Sequence, residues 1–187
     1  MDLGVVELRQ YTLHPGRRDE LIDLFDRELV ETQEACGMRV LGQFRDADRP
    51  DRFVWLRGFA DMEARREALT AFHGGPVWRE HAAAANATMI DSDDVLLLQP
   101  TTFPASGPRP AGERAPAAFW ISVHDPAHAP GPEGTLGLLS TLSTENTFPA
   151  LPVREDTDVV VRLGTTEPQG PALQVSRGTC TGRSLLP

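Results

Sequence analysis

The sequence predicts an α+β protein, a βαββαβ unit followed by a trimmed second copy of itself. Three observations carry this. Along residues 1–102 the hydrophobic period switches between that of a strand and that of a helix, in the order strand, helix, strand, strand, helix, strand. Residues 103–116 are rich in Pro, Ala and Gly, carry no apolar period and read as a linker. Residues 117–187 then give strand-like segments in the same order, with Pro- and Gly-rich turns where the two helices belong.

Val5–Leu13 alternates as a strand and Pro15-Gly16 ends it. Leu21, Phe25, Leu29, Thr32 and Cys36 recur at helical spacing, predicting a helix over 17–36 with Gly37 as its C-cap. Residues 38–45 and 52–60 are the next strands, joined by a turn containing Pro50. Asp61 is placed to cap a helix running to Phe72, Gly74-Gly75 breaks it, and Pro76 suits the first turn of another helix, to about Met89. Residues 95–99 complete the order of a ferredoxin-like split βαβ unit. In the second copy, 119–124, 136–142 and 158–165 match the first three strands, and the fourth is either 173–176 or 184–186.

Composition excludes several classes of function. The net charge of −9 repels phosphate backbones, so nucleic acid is not an expected partner. There is no lysine: all 18 basic residues are arginine, which rules out a lysine Schiff base or a P-loop lysine. Cys36 and Cys180 are too few for a disulfide framework and have no zinc-site spacing. Met1-Asp2-Leu3-Gly4 does not open a signal peptide, and no apolar run approaches a membrane span. A soluble cytoplasmic protein using no metal or other cofactor is expected.

Glu7-Leu8-Arg9-Gln10-Tyr11-Thr12-Leu13 with Pro15-Gly16 resembles the opening of NIPSNAP-family proteins. Gly75-Pro76-Val77-Trp78-Arg79-Glu80-His81, Ala85-Asn86-Ala87-Thr88-Met89 and the run around Asp91-Ser92 and Val95-Leu96-Leu97-Leu98 are similar to that family's second-helix region and last strand. The match covers the first hundred residues well and continues more weakly through Glu145-Asn146-Thr147-Phe148-Pro149 and Leu151-Pro152-Val153-Arg154-Glu155. The resemblance implies a dimeric α/β-barrel, in which two such sheets face each other. Relatives of that barrel include cofactor-independent monooxygenases, haem-degrading enzymes and lactone isomerases, and here each activity is an analogy of fold.

Strand alternation sorts the candidate site residues. Val6, Leu8, Val54 and Leu56 form a plain aliphatic face, which the helices are expected to cover. The opposite face carries Glu7, Arg9, Tyr11, Gln43, Trp55 and Arg57, with Trp120, Ser122 and His124 at the matching second-copy positions. Aromatics with a few convergent polar groups fit a ligand pocket inside the barrel, and equally a satisfied sheet–sheet interface. Tyr11 and Arg9 are the candidate catalytic strand residues. His73 and His81, around the double-glycine break with Trp78, are candidate acid–base groups at the cavity mouth, or histidines that only cap helix ends. Asn86 joins the ligand-binding candidates, although turn hydrogen bonding accounts for it as well.

The expected function is therefore binding or transforming a small organic molecule in a barrel cavity. A non-catalytic dimeric scaffold and a haem-binding protein are the alternatives. A homodimer or higher oligomer is expected, because Ile121, Val123, Leu138 and Leu142 would leave an apolar face uncovered in the helix-free half.

Overall fold

A computed structural model describes residues 3–103, 117–131, 133–181 and 183–186. The predicted linker lies, from residue 104 to 116, outside the described residues. The first half contains β1 (Val5–Leu13), β2 (Arg39–Asp46), β3 (Arg52–Phe59), the short β4 (Met89–Asp91) and β5 (Val95–Thr102). Its helical layer is α1 (Arg18–Leu24), a π-helical turn at Phe25–Leu29, α2 (Val30–Ala35), α3 (Met62–His73) and α4 (Pro76–Asn86). The second half contains β6 (Ala118–His124), β7 (Thr135–Thr141), β8 (Val160–Gly164) and β9 (Gln174–Cys180), with one 3₁₀ turn at Pro126–His128 and no α-helix among its described residues.

Local chemistry explains the boundaries. Gly37 takes φ +96°, the left-handed conformation that lets the chain leave α2. The Asp61 carboxylate accepts the Ala64 N–H at 2.8 Å and so caps α3. Pro76 sits in the first turn of α4, where its missing N–H costs nothing. That helix stops at Asn86, earlier than the apolar pattern indicates, and Met89–Asp91 instead pairs with the end of β1. The fourth strand of the second half is the earlier alternative, lengthened to Gln174–Cys180, while Leu185 and Leu186 turn back to the Leu41 carbonyl.

All pairings are antiparallel. The strand order is β3-β2-β9-β6-β8-β7-β5-β1, and β1 also pairs with β3, so the sheet closes into an eight-stranded barrel within one chain. The first half contributes β5-β1-β3-β2 and the second β9-β6-β8-β7, joined at the β2–β9 and β5–β7 seams. At the first seam a Cβ on Gly178 would lie 2.1 Å from the Arg45 carbonyl oxygen, so only glycine fits there.

The two faces of β1 and β3 are sorted as the alternation predicts, but their assignment is the reverse of the expected one. Val6, Leu8, Val54 and Leu56 point into the barrel, where they join Phe119, Ile121, Val123, Leu139, Val161 and Leu163 from the second half. Tyr11, Phe53, Trp55 and Phe59 point outward and pack beneath Leu21, Phe25, Leu29, Leu69 and Phe72 of the helical layer. The cause is space: the interior of an eight-stranded barrel is just wide enough for side chains to fill. One end is closed by a polar group in which Arg52 donates to Gln10 at 2.8 Å and to Asp94 at 3.0 Å, with Gln174 also on Gln10. The space bordered by Phe44, Phe119 and Ile121 is only about 10 Å³, so among the described residues the packed interior does not supply the ligand cavity expected there.

The same reversal removes the ground on which an oligomer was expected. Ile121 and Val123 are 2% and 6% exposed, inside the barrel. Arg162 faces outward opposite Ser122 and Leu138, and Leu142 packs against the helix-side core. Ile121→Glu is accordingly expected to lower stability by more than about 3 kcal/mol, because it places an unpaired carboxylate in a dry core. Urea unfolding checks this: an unchanged midpoint, with only a change of mass in light scattering, would contradict it.

Candidate functional site

The outward face of β1 places Glu7, Arg9 and Tyr11 in a row beneath the helices, and Trp55 and Arg57 lie opposite on β3. Glu7 is fully buried and its carboxylate receives three guanidiniums. Arg9 Nη1 and Arg57 Nε donate to Oε2 at 2.7 and 2.8 Å, and Arg65 Nε, from α3, donates to Oε1 at 2.7 Å. Neutral oxygens take further donors. Tyr11 Oη accepts Arg9 Nε at 2.9 Å, Gln33 Oε1 accepts Arg57 Nη1 at 3.3 Å, and Asn146 Oδ1 accepts Arg65 Nη1 at 3.0 Å. The Trp55 ring stands between two of the cations, 5.7 Å from the Arg9 guanidinium carbon and 5.2 Å from that of Arg57.

Three guanidiniums against one carboxylate leave this buried cluster with two positive charges in excess. Burial alone would push the Glu7 carboxyl up, but Arg57, Arg9 and Arg65 together outweigh it and hold the group well below the usual carboxylate range. Burial, reinforced by the like charge of Arg9, pushes Arg57 down to about 10, so it stays protonated at neutral pH. His73, at the end of α3, is pushed down to about 4, first by burial and then by Arg57 and Arg9, and is neutral.

Between the cluster and the helices lies a cavity of about 80 Å³, room for several water molecules or a small ligand. Arg9, Tyr11, Trp55, Arg57, His73, Trp78 and Asn86 line it, as the sequence predicts for a single site, together with apolar walls from Leu21, Phe25, Leu29, Phe72 and Ala85. The Nη2 of Arg57 and the Nε2 of His73 are buried without partners. The Tyr11 oxygen accepts from Arg9, and among the described residues its phenolic proton has no acceptor. A larger space, about 290 Å³ between α1 and α4 beside Glu20, Asp23 and Arg27, is an open surface groove with few converging groups.

The π-helical turn sets the cavity roof. Leu21, Phe25, Leu29 and Gln33 all line it, at a constant spacing of four. In an α-helix that spacing drifts by about 40° per step, so the four would spread over about 120° of the helix surface. The wider turn at Phe25–Leu29, closed by the Val30 N–H on the Phe25 carbonyl, takes up the drift.

Five predicted residues stand elsewhere. Glu7 lies behind the wall and acts through Arg9 and Arg57. Gln43 is buried beside Trp55 with both amide atoms unpartnered, and does not border the cavity. His81 is 3.7 Å from Glu28, between α4 and the π-helical turn, and outside the lining. Trp120 and His124 lie on the outward face of β6, Trp120 half-buried and His124 fully buried. His124 contacts the Pro171 carbonyl through Nδ1 and Ser122 Oγ through Nε2, which fixes the Nδ1–H tautomer.

The sequence reading missed Arg65, although it had a signal. Arg65, Ala68, Leu69 and Phe72 share the buried stripe of α3, and an arginine on such a stripe needs a partner. It also did not foresee that the β7–β8 loop reaches the site from the second half. Asn146 holds Arg65, Phe148 stacks on His73 at 5.8 Å, and Leu151 lines the cavity.

Fold and site together define a closed antiparallel α+β barrel with a cationic cavity under the helical layer of its first half. The NIPSNAP family model matches residues 6–105, more than half of the chain, and the protein belongs to that family. It is similar to a NIPSNAP family protein from Agrobacterium tumefaciens, at 21% identity and TM-score 0.50, over 55% of this chain and 90% of that one. A NIPSNAP-like domain protein from Burkholderia xenovorans aligns at 26% identity and TM-score 0.49, over 56% and 90%. A proposed monooxygenase from Lactobacillus acidophilus aligns at 12% identity and TM-score 0.54 over 96% of this chain and 93% of its own, so it shares the fold of both halves. No curated protein matches the chain.

Two outcomes follow from the electrostatics. Glu7→Gln leaves three buried cations unopposed and is expected to cost about 3 kcal/mol or more, whereas Arg57→Gln, which lowers the excess charge, costs less. Urea titrations of both variants compare them, and equal losses would contradict the charge account. His73 is harder to protonate in the folded than in the unfolded chain, so stability falls as pH drops from 6.5 to about 4 and His73 contributes no further loss below that. His73→Phe, which keeps the stack on Phe148, should flatten this part of a melting-temperature profile, and an unaltered slope would refute the assignment.

Proposed function

We propose that the protein binds a small organic molecule in the cavity between the helical layer and the outer wall of the barrel. The observation that carries this is a partly enclosed, largely apolar space into which Arg9, Arg57, Tyr11 and His73 bring polar atoms, several of them unpartnered. Pockets of this make-up orient a ligand by a few convergent groups while apolar walls supply affinity. In chemical terms, Arg9 and Arg57 stabilise negative charge on a bound oxygen, the Tyr11 hydroxyl donates a hydrogen bond, and neutral His73 can accept a proton at Nε2. The monooxygenase-like fold of a structural neighbour is compatible with transformation of the ligand, as an analogy of fold.

The second half, in this reading, is a copy of the first that has lost its helices. The strand orders β5-β1-β3-β2 and β9-β6-β8-β7 correspond position by position, which supports it. The barrel closes without a second chain, and the apolar face behind the scaffold reading is internal, so no specific observation favours that reading. Haem is disfavoured by size: a macrocycle would have to lift the helices from the sheet to enter a space of about 80 Å³.

Ala85 is fully buried on the cavity wall, so Ala85→Phe should fill the space. Thermal shifts against a library of small organic molecules, neutral and acidic alike, are expected to find stabilisers of the wild type that leave Ala85→Phe unmoved. A library without stabilisers, or stabilisers acting equally on both proteins, would sink this function.

A further inference from the structure

We propose that the ligand is a small organic acid whose carboxylate is held between Arg9 and Arg57, with its apolar body against Phe25, Leu29 and Trp78. This rests on the reading of the cavity as a ligand site and adds the chemical class of the ligand.

The argument begins with charge. Glu7, Arg9, Arg57 and Arg65 are each no more than 2% exposed, so solvent does little to screen the excess of two positive charges. Buried charge is tolerated when it is paired, and the described residues bring no second carboxylate to these guanidiniums. The Trp55 ring offsets part of the cost through its face, but a ring face leaves the hydrogen-bond donors unmet. Arg57 Nη2 remains as a buried, unpartnered donor on a residue that lines the cavity. The Tyr11 hydroxyl beside it adds a second donor with no acceptor among the described residues.

Geometry then narrows the anion. A guanidinium presents a planar fork that matches a carboxylate. A phosphate ester would bring more charge and a larger, strongly hydrated headgroup into a space of about 80 Å³ whose remaining walls are Leu21, Phe25, Leu29 and Phe72. No glycine-rich loop lies among the lining residues to cradle one. A monocarboxylate on a compact hydrocarbon body satisfies both surfaces, the cationic floor and the apolar roof.

Benzoate and benzamide have nearly the same shape and differ in charge, and they serve as probes. Trp55 and Trp78 border the cavity, so intrinsic fluorescence reports occupancy, with thermal shift as a second readout. Benzoate is expected to bind the wild type at least about tenfold more tightly than benzamide, a difference of about 1.4 kcal/mol. Arg57→Gln should remove that preference, bringing the ratio of benzoate to benzamide affinity close to one. Equal binding of the two probes by the wild type overturns the carboxylate while leaving a neutral-ligand cavity standing. Equal protection by sodium chloride at matched ionic strength also overturns it. Binding of neither probe refutes the proposal, and the Ala85→Phe screen then says whether the cavity reading falls with it. Should Arg57→Gln fail to fold, the benzoate–benzamide comparison on the wild type still decides.

Discussion

One carboxylate organises the helical side of this molecule. Glu7 on β1 holds Arg9 of its own strand, Arg57 of β3 and Arg65 of α3, and Arg65 in turn holds Asn146 of the β7–β8 loop. Two strands, a helix and a loop from the other half are thereby fixed relative to a single side chain. The arrangement is not the cheapest way to pack a sheet beneath helices. Apolar residues of similar volume would do so without desolvating four charges, and buried ion pairs often contribute no more than such replacements. What the cluster adds is position and sign: two guanidiniums at a defined place on a cavity floor, in surroundings dry enough for their charge to act strongly.

The barrel decides where such a floor can exist. Eight strands enclose a space that Val, Leu, Ile and Phe side chains of the described residues fill. Tyr11, Trp55 and the charges of β1 and β3 stand on the outside of the wall, where they need a cover. In the first half the cover is the helical layer. In the second half the outward residues are served locally: His124 by Ser122 and the Pro171 carbonyl, and Arg162 by Thr135, Thr166 and the Glu133 carbonyl. Ser122, His124 and Arg162 are buried, and their partners come from strands and turns of the same half rather than from a helical layer.

Much of this was legible in the sequence, and the exceptions share a cause. Strand and helix periods, the Asp61 cap, the Gly37 exit and the Pro76 start depend on neighbours in the chain and are read directly. Arg9, Tyr11, Trp55, Arg57, His73, Trp78 and Asn86 meet in one cavity because alternation and the helix break place them on facing surfaces. Alternation separates two faces but does not say which of them a helix covers. That choice depends on closure of the barrel across the β2–β9 and β5–β7 seams, which no local pattern records. One unread choice therefore moves several features together: the cavity lies outside the barrel, Ile121 and Val123 lie inside it, and Trp120 and His124 do not reach the site. His81 failed for a smaller reason, since its position on α4 directs it to Glu28 and away from the cavity.

The contribution of the second half to the site also follows from closure. Its strands turn their apolar side inward and cannot reach a cavity on the far side of the wall. Only a connection long enough to pass around the barrel edge can, and residues 142–159 between β7 and β8 do so. The loop is anchored to β5 by Leu142 N–H on the Leu97 carbonyl and by Arg154 N–H on the Val95 carbonyl, both at 2.9 Å. Between these anchors Asn146 accepts a hydrogen bond from Arg65, and its amide is tied to the Leu151 carbonyl at 2.9 Å. The same short segment thus places Phe148 on His73 and Leu151 at the cavity wall. The cavity is framed by strands and helices of one half, but its closing edge comes from the other. Removing the second half would take away this edge together with the apolar partners of Val6, Leu8, Val54 and Leu56, so that half belongs to the site as well as to the barrel.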